Sequence, residues 1–491
     1  MKAVNVYWAL IIYTIIGFVV AYASRRGMEK GVIEYFLSGR STGGIIAALS
    51  YSATTYSAFM MVGLAGYTYS GGVGALGFEL IYLSGISLVA FFGPRFWLVG
   101  KKFNYVSPYE MLADRYDNRW IAIAAAVSAC VFLIPYLAVQ LMGVGYLMSG
   151  LSSGTIPYMV GVIVAVILAI AWALIAGMRS VTWTDSLQSL IMIIVSIIIL
   201  FFIVYRYMGG FLNFFTEIKA RHPEYLTVPG PGFFDFKTFV GLTLPWFFFS
   251  ISNPQVSQRL FIPRSLKAMK TMIKGFLIFG FIYTLVSILW GFGAKLLLPG
   301  LNQADMATPG LLGSEYVPGI LGLVAMIGIT AAAISTIDSI MLTLSSLVVR
   351  DLYGNLEDDT VAGQIKVGKI VILLVALAGL IFASRQLDLI ATLSVASSVG
   401  LLVIVPSIFG AFFWKESTAA GSLGSIIIGA ITAVFLQFSG IKPLGHWPGV
   451  WTLLITTTVF IGVSLVTKAP KYKAERFMNY LADETDKKNI L

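Results

Sequence analysis

Thirteen runs of about 20 mostly apolar residues follow one another along this chain, parted by short stretches rich in Gly, Pro and charge. A run of that length is what a helix needs to cross the hydrocarbon core of a bilayer, and the chain lacks the weak ten-residue alternation of a barrel. Backbone N–H and C=O groups in lipid must bond within their own segment, so the expected fold is all-α, a polytopic membrane bundle. With 58% hydrophobic and 11% charged residues, the chain is too apolar for a soluble core. The spans are expected at 4–23, 41–69, 74–99, 120–149, 157–177, 181–207, 237–258, 271–297, 317–346, 368–386, 388–414, 418–440 and 449–467.

The formal net charge of +10 is scattered among the loops without a nucleic-acid-reading motif, so it is read as a topology signal. An odd number of spans puts the termini on opposite faces. With the N-terminus outside, 25 of the 33 Lys and Arg residues fall at the cytoplasmic face, in clusters such as Arg25 and Arg26, Lys101 and Lys102, Arg259 to Lys274, and the tail from Lys468 to Lys488. That asymmetry predicts N-out and C-in, in the plasma membrane. Residues 4–23 lack the charged start and cleavage site of a signal peptide and read as a retained span. The single cysteine, Cys130, excludes an intrachain disulfide and a thiol metal cluster.

Two spans carry polar runs near their middles. Span two has Ser50-Tyr51-Ser52-Ala53-Thr54-Thr55-Tyr56-Ser57, and span seven has Pro245 followed by Ser250-Ile251-Ser252-Asn253-Pro254-Gln255. Irregular backbone at that depth survives only where it is buried in protein or lines a cavity, so both are candidate breaks. Each opens a set of five helices, and the two run in opposite directions, which is the pattern of an inverted repeat with its binding site at broken helices. Taken singly, such hydroxyls also serve as ordinary helix-to-helix glue.

Carboxylates inside spans are costly and call for a partner or a watery cavity. Asp185 near the start of span six has two readings, a functional site or a helix-start carboxylate paired with Arg179. Asp338 lies deep in span nine, and helical spacing puts Ser335, Asp338, Ser339 and Leu342 on one stripe. Hydroxyls there, with carbonyls freed at a broken helix, are oxygen ligands suited to a hard monovalent cation. Glu79 and Asp388 are expected to reach water. Arg40 suits interface anchoring as well as gating. Trp246 and Tyr136 stand out among the aromatics because Ser250 and Gln140 follow each of them by one turn.

Four motifs together resemble the sodium:solute symporter family: Ser38-Gly39-Arg40-Ser41-Thr42-Gly43-Gly44, Ala53-Thr54-Thr55-Tyr56-Ser57, Val181-Thr182-Trp183-Thr184-Asp185-Ser186-Leu187-Gln188, and Ser335-Thr336-Ile337-Asp338-Ser339 ending in Arg350-Asp351-Leu352-Tyr353. The resemblance covers most of the chain and implies a leucine-transporter-type fold of two inverted five-helix repeats. It sets a transport core at 41–415, with repeats at about 41–207 and 237–415, a first span and loop at 1–40, and two extra spans and a tail at 416–491. It implies a sodium site at the backbone carbonyls of Ala53 and Tyr56 with Ala332, Ser335 and Thr336. A second cation or proton site would fall at Asp185, Ser335, Asp338 and Ser339, where Asp338 replaces a hydroxyl residue found in other members. Arg40 matches an arginine associated with coupling in the proline branch.

For substrate, the chain is most similar to the proline, pantothenate and monocarboxylate branches. The proline branch has an aspartate where this chain has Thr55, and loss of that carboxylate favours a small organic acid over an amino acid. The expected pocket comprises Thr55, Ser57, Tyr136, Gln140, Trp246, Ser250 and Asn253. The expected function is sodium-coupled symport of a small carboxylate, with partners limited to substrate, sodium and lipid: no nucleic acid, no organic cofactor and no obligate protein partner. Alternatives are a proline or other amino-acid symporter, the same fold coupled to protons, a sensor working through a partner, and a membrane-embedded transferase. The last is disfavoured because His222 and His446 lie in loops with no metal-ligand spacing.

Overall fold

The computed structural model describes residues 3–26, 28, 31–353, 361–386 and 390–487. Apart from one isolated bridge between Thr42 and Pro263, secondary structure among these residues is helical. The helices at the expected spans are α1 Ala3–Ser24, α2 in two halves (α2a Gly44–Thr55 and α2b Phe59–Gly71), α3 Gly74–Phe103, α4 Arg119–Leu151, α5 Tyr158–Ile175 and α6 Gly177–Tyr207. They continue with α7 Phe236–Ser252, α8 Leu266–Leu297, α9 Gly319–Leu347, α10 Val361–Ala383, α11 Thr392–Phe413, α12 Ala419–Ser439 and α13 Pro448–Val466. A further helix, α14 Lys471–Lys487, ends the described chain.

Among the described residues, eleven helices are long and apolar enough to cross a membrane, and the bent α2 pair counts as a twelfth. The seventh expected span, 237–258, is where the count departs from expectation. Its helix α7 has 17 residues and stops at Asn253, whose backbone is extended, before the short helix Pro254–Ser257. Pro254 has no N–H to continue the ladder, so the sequence itself ends the helix there.

Both expected breaks are present. In α2 the last α-helical N–H, that of Tyr56, bonds Ser52 O at 2.7 Å. Tyr56 then leaves the helical region (φ −92°, ψ 73°), and α2b departs at 51° through a wide-turned segment, Phe59–Leu64. α5 and α6 are joined at Gly177, whose φ of 58° favours glycine; a Cβ there would lie 2.4 Å from the carbonyl of Tyr35.

The core is built around α9, whose residues 328–347 are all buried. It packs on α4, α6 and α2a, while α8 packs on α2, and α1 lies against α6 and α9. Gly280 of α8 brings that helix against Tyr56, whose ring stacks on Phe276 and Phe279 at 5.2 and 5.9 Å. α12 and α13 pair with each other on the opposite flank.

Candidate functional site

Ending α2a at Tyr56 removes the helical donors that would follow, and the neighbouring carbonyls turn to α9. The Thr336 hydroxyl lies 3.4 Å from Ala53 O, 3.2 Å from Thr54 O and 3.2 Å from Ala332 O. One hydroxyl therefore spans the broken end of α2a and its own helix. Ser335 is buried and faces Asp185. Thus Ala53, Ala332 and Thr336 of the expected sodium site come together, and Ser335 stands one residue away on α9. Carbonyl and hydroxyl oxygens in this arrangement are the donor set a hard cation takes.

One helical turn further along α9 the structure is different from expectation. Asp185 pairs with Arg259, not Arg179: Arg259 Nη2 lies 3.0 Å from Asp185 Oδ2, with both side chains buried, at 2% and 0% exposure. Arg179 instead pairs with Glu34 at 2.9 Å. Ser50 donates to the same Asp185 oxygen at 2.7 Å, and Arg259 also donates to Ser339 Oγ at 2.7 Å and to Gln255 O at 2.9 Å. Arg259, expected in a basic loop, is an interior residue because the break at Asn253 carries the chain inward before it leaves the bundle. Asp338 is buried beside Asp185 and Tyr13, and its Oδ1 has no hydrogen-bond partner.

The expected pocket residues divide. Trp246 is the hub of an aromatic cluster, with ring centroids 4.7 Å from Phe249 and 4.8 Å from Phe59. Tyr136 meets Phe249 at 5.9 Å and faces Ser57. Thr55 faces Tyr82, which in turn lies 5.8 Å from Trp246. Gln140 is one turn beyond Tyr136, and neither atom of its amide has a protein partner; the same holds for Asn253 at the second break. Ser250 is committed elsewhere, its hydroxyl donating to Gly85 O at 3.3 Å.

Glu79 was missed. Rather than reaching water it is fully buried, and Trp246 Nε1 donates to its Oε2 at 3.3 Å while Oε1 has no partner. Its position near the end of an apolar run suggested an interface, but α3 tucks that end against α7. Asp388 lies outside the described residues. Arg40, with positive φ, donates through Nη2 to Tyr105 O at 2.8 Å. It thereby ties the entry of α2 to the loop before the short helix Pro108–Arg115.

Comparison with known proteins places this arrangement. A model of the sodium:solute symporter family matches residues 35–429. The sodium/pantothenate symporter of Escherichia coli (strain K12) is 26% identical over 477 residues, covering 94% of this chain and 97% of the relative. The high-affinity proline transporter PutP of Bacillus subtilis (strain 168) is 24% identical over 467 residues, covering 92% and 96%. Among solved structures, the substrate-bound outward-open state of a Na+-coupled sialic acid symporter superposes with a TM-score of 0.80 at 22% identity, covering 95% of this chain and 99% of that one. The nucleobase-cation symporter Mhp1 superposes at 0.54 and 13% identity, over 90% and 97%. The fold is thus of the leucine-transporter type. With the family model spanning most of its length, this chain belongs to the sodium:solute symporter family and is a secondary transporter that couples a small solute to sodium.

Proposed function

We propose that this chain carries pantothenate, or a small organic acid built like it, into the cell together with sodium. Sodium binds at the carbonyls of Ala53, Tyr56 and Ala332 and the hydroxyls of Ser335 and Thr336, and so joins the broken α2 to α9. Substrate binds beside it among Thr55, Ser57, Tyr136, Gln140, Trp246 and Asn253, with Ser250 supporting the wall. The observation that carries this reading is the set of buried polar groups without partners on Tyr136, Gln140 and Asn253, close to the aromatic cluster that holds Glu79.

Glu79 refines the substrate class. The unpartnered oxygen of the buried Glu79 carboxyl is a hydrogen-bonding position for substrate, so the substrate offers a polar group such as a hydroxyl or amide. Acetate or pyruvate has none to offer, whereas an acid with hydroxyl and amide groups does. The substrate's own carboxylate is received at the start of α2b, where backbone N–H groups and the helix dipole favour an anion. Two relatives, each 26% identical to this chain, are named sodium/pantothenate symporters, which supports the same choice. Glu79 also favours a second reading, an amino acid whose ammonium meets that carboxylate.

The N-terminus faces outward and the C-terminus faces the cytoplasm of the plasma membrane. The moving core is 41–415, with repeats at about 41–207 and 237–415; residues 1–40 and 416–491 frame it. Arg40 couples the α2 entry to the neighbouring loop. Sodium favours the outward-open state, substrate completes it, and the core rocks inward, each ligand strengthening the other by about 1–3 kcal/mol. Asp338 stands as a proton carrier if the same fold is driven by protons instead.

The test is competition for uptake in liposomes, with pantothenate, lactate, acetate and proline offered under an inward sodium gradient. Sodium-dependent uptake of pantothenate with no competition from acetate is expected. Preference for proline would move Glu79 to the role of ammonium partner, and uptake that follows pH and ignores sodium would overturn the coupling ion.

A further inference from the structure

The Asp185–Arg259 pair is the most deeply buried ion pair among the described residues, and it lies where a second coupling cation would bind. Its surroundings are the transport machinery itself. Ser50 comes from α2a, Asp185 from α6, the Gln255 carbonyl from the turn after α7, and Ser339 from α9. Ser339 in turn meets Thr54 Oγ1 at 3.3 Å, one residue from the carbonyl of Ala53 that Thr336 approaches.

We propose that Arg259 is the resident cation of this position, so that the chain binds one sodium ion where Asp185 would otherwise hold a second. A buried carboxylate needs a positive partner, and the guanidinium supplies it covalently tethered. A sodium ion at Asp185 would sit within a few ångströms of that guanidinium, and two like charges repel strongly in a low-dielectric interior. The donors of Arg259 go to Asp185, Ser339, Ser50 and Gln255 O, and none reaches Asp338. The guanidinium balances the Asp185 carboxylate without a sodium ion. Arg259 then sets the ion count of the transporter. This rests on the sodium coupling shared by the family and on no particular substrate.

The experiment is equilibrium binding of ²²Na⁺ to the purified full-length protein without substrate. Wild type is expected to saturate at one sodium per chain with a Hill coefficient of one. Arg259→Gln is expected to take a second sodium, Arg259→Lys to remain at one, and Arg259→Gln with Asp185→Asn to return to one. Thr336→Ala in the Arg259→Gln background separates the sites, weakening the first sodium and sparing the second. Two sodium ions on wild type would overturn the proposal, as would an Arg259→Gln protein that folds and still binds one. If Arg259→Gln does not fold, the wild-type count alone decides. No saturable sodium on wild type would overturn the first site as well, which distinguishes failure of the two claims.

Discussion

Thr336 reaches three backbone carbonyls on two helices at once, and on the proposed account coupling begins at this residue. Thr336→Ala removes one oxygen ligand, a loss of about 0.5–1.5 kcal/mol, so sodium affinity should fall about two- to tenfold. Substrate affinity measured at low sodium should fall with it; unchanged sodium activation would show that the ion binds elsewhere. Glu79→Gln makes the contrasting case. A hydrogen bond to a charged group is worth about 1.5–3 kcal/mol, so the half-saturating substrate concentration should rise at least about tenfold while sodium binding holds. A fall in protein stability alone, with substrate affinity intact, would assign Glu79 to packing. Ser335 was legible from the helix stripe and the family motif, and Thr336 from the motif alone. Glu79 and Arg259 were not, because hydropathy places each at the end of a span and only tertiary packing shows that those ends are covered.

At the scale of elements, the two breaks were legible as polar runs at mid-depth, with Pro254 after Asn253 ending the second helix. The bend of α2 and the wide turn at Phe59–Leu64 were not legible, since those residues are apolar and nothing in their order favours irregular hydrogen bonding. The C-terminal helix α14 was read only as a charged tail, yet it docks on the loop helix Pro108–Arg115. Lys473 Nζ lies 2.7 Å from Asp114, Arg476 and Tyr105 bond the same carboxylate, and Phe477 is buried against Phe412 at 5.3 Å. Burial pushes the Asp114 carboxyl up, but Lys473, Tyr105 and Arg476 outweigh it and hold it below the ordinary 3.8. Its contribution is therefore complete above that ordinary value and is lost only as pH falls through the lower folded one. Hydrogen exchange of Lys471–Lys487 should thus be insensitive to pH-dependent undocking from about pH 8 to about pH 5. It should rise at neutral pH in Asp114→Asn. Protection that survives Asp114→Asn would show that Phe477 alone holds the helix.

Across the whole molecule, the apolar spans disclose a helical membrane protein, and four short motifs in the right order disclose the family. No stretch of sequence reveals which buried polar groups lack a protein partner. The charge asymmetry read as an orientation signal includes Arg259, an interior residue, but the remaining basic clusters still favour the same face. On the proposed account, sodium joins the broken α2 to α9 beside Thr336, and the neighbouring pocket holds an acid that carries hydrogen-bond donors. The most direct test is accumulation of radiolabelled pantothenate in liposomes with an inward sodium gradient as the sole driving force. The account predicts uptake above the external concentration that collapses when an ionophore dissipates sodium and is absent when potassium replaces it. Equilibration unaffected by sodium, or no pantothenate uptake while proline accumulates, would contradict it.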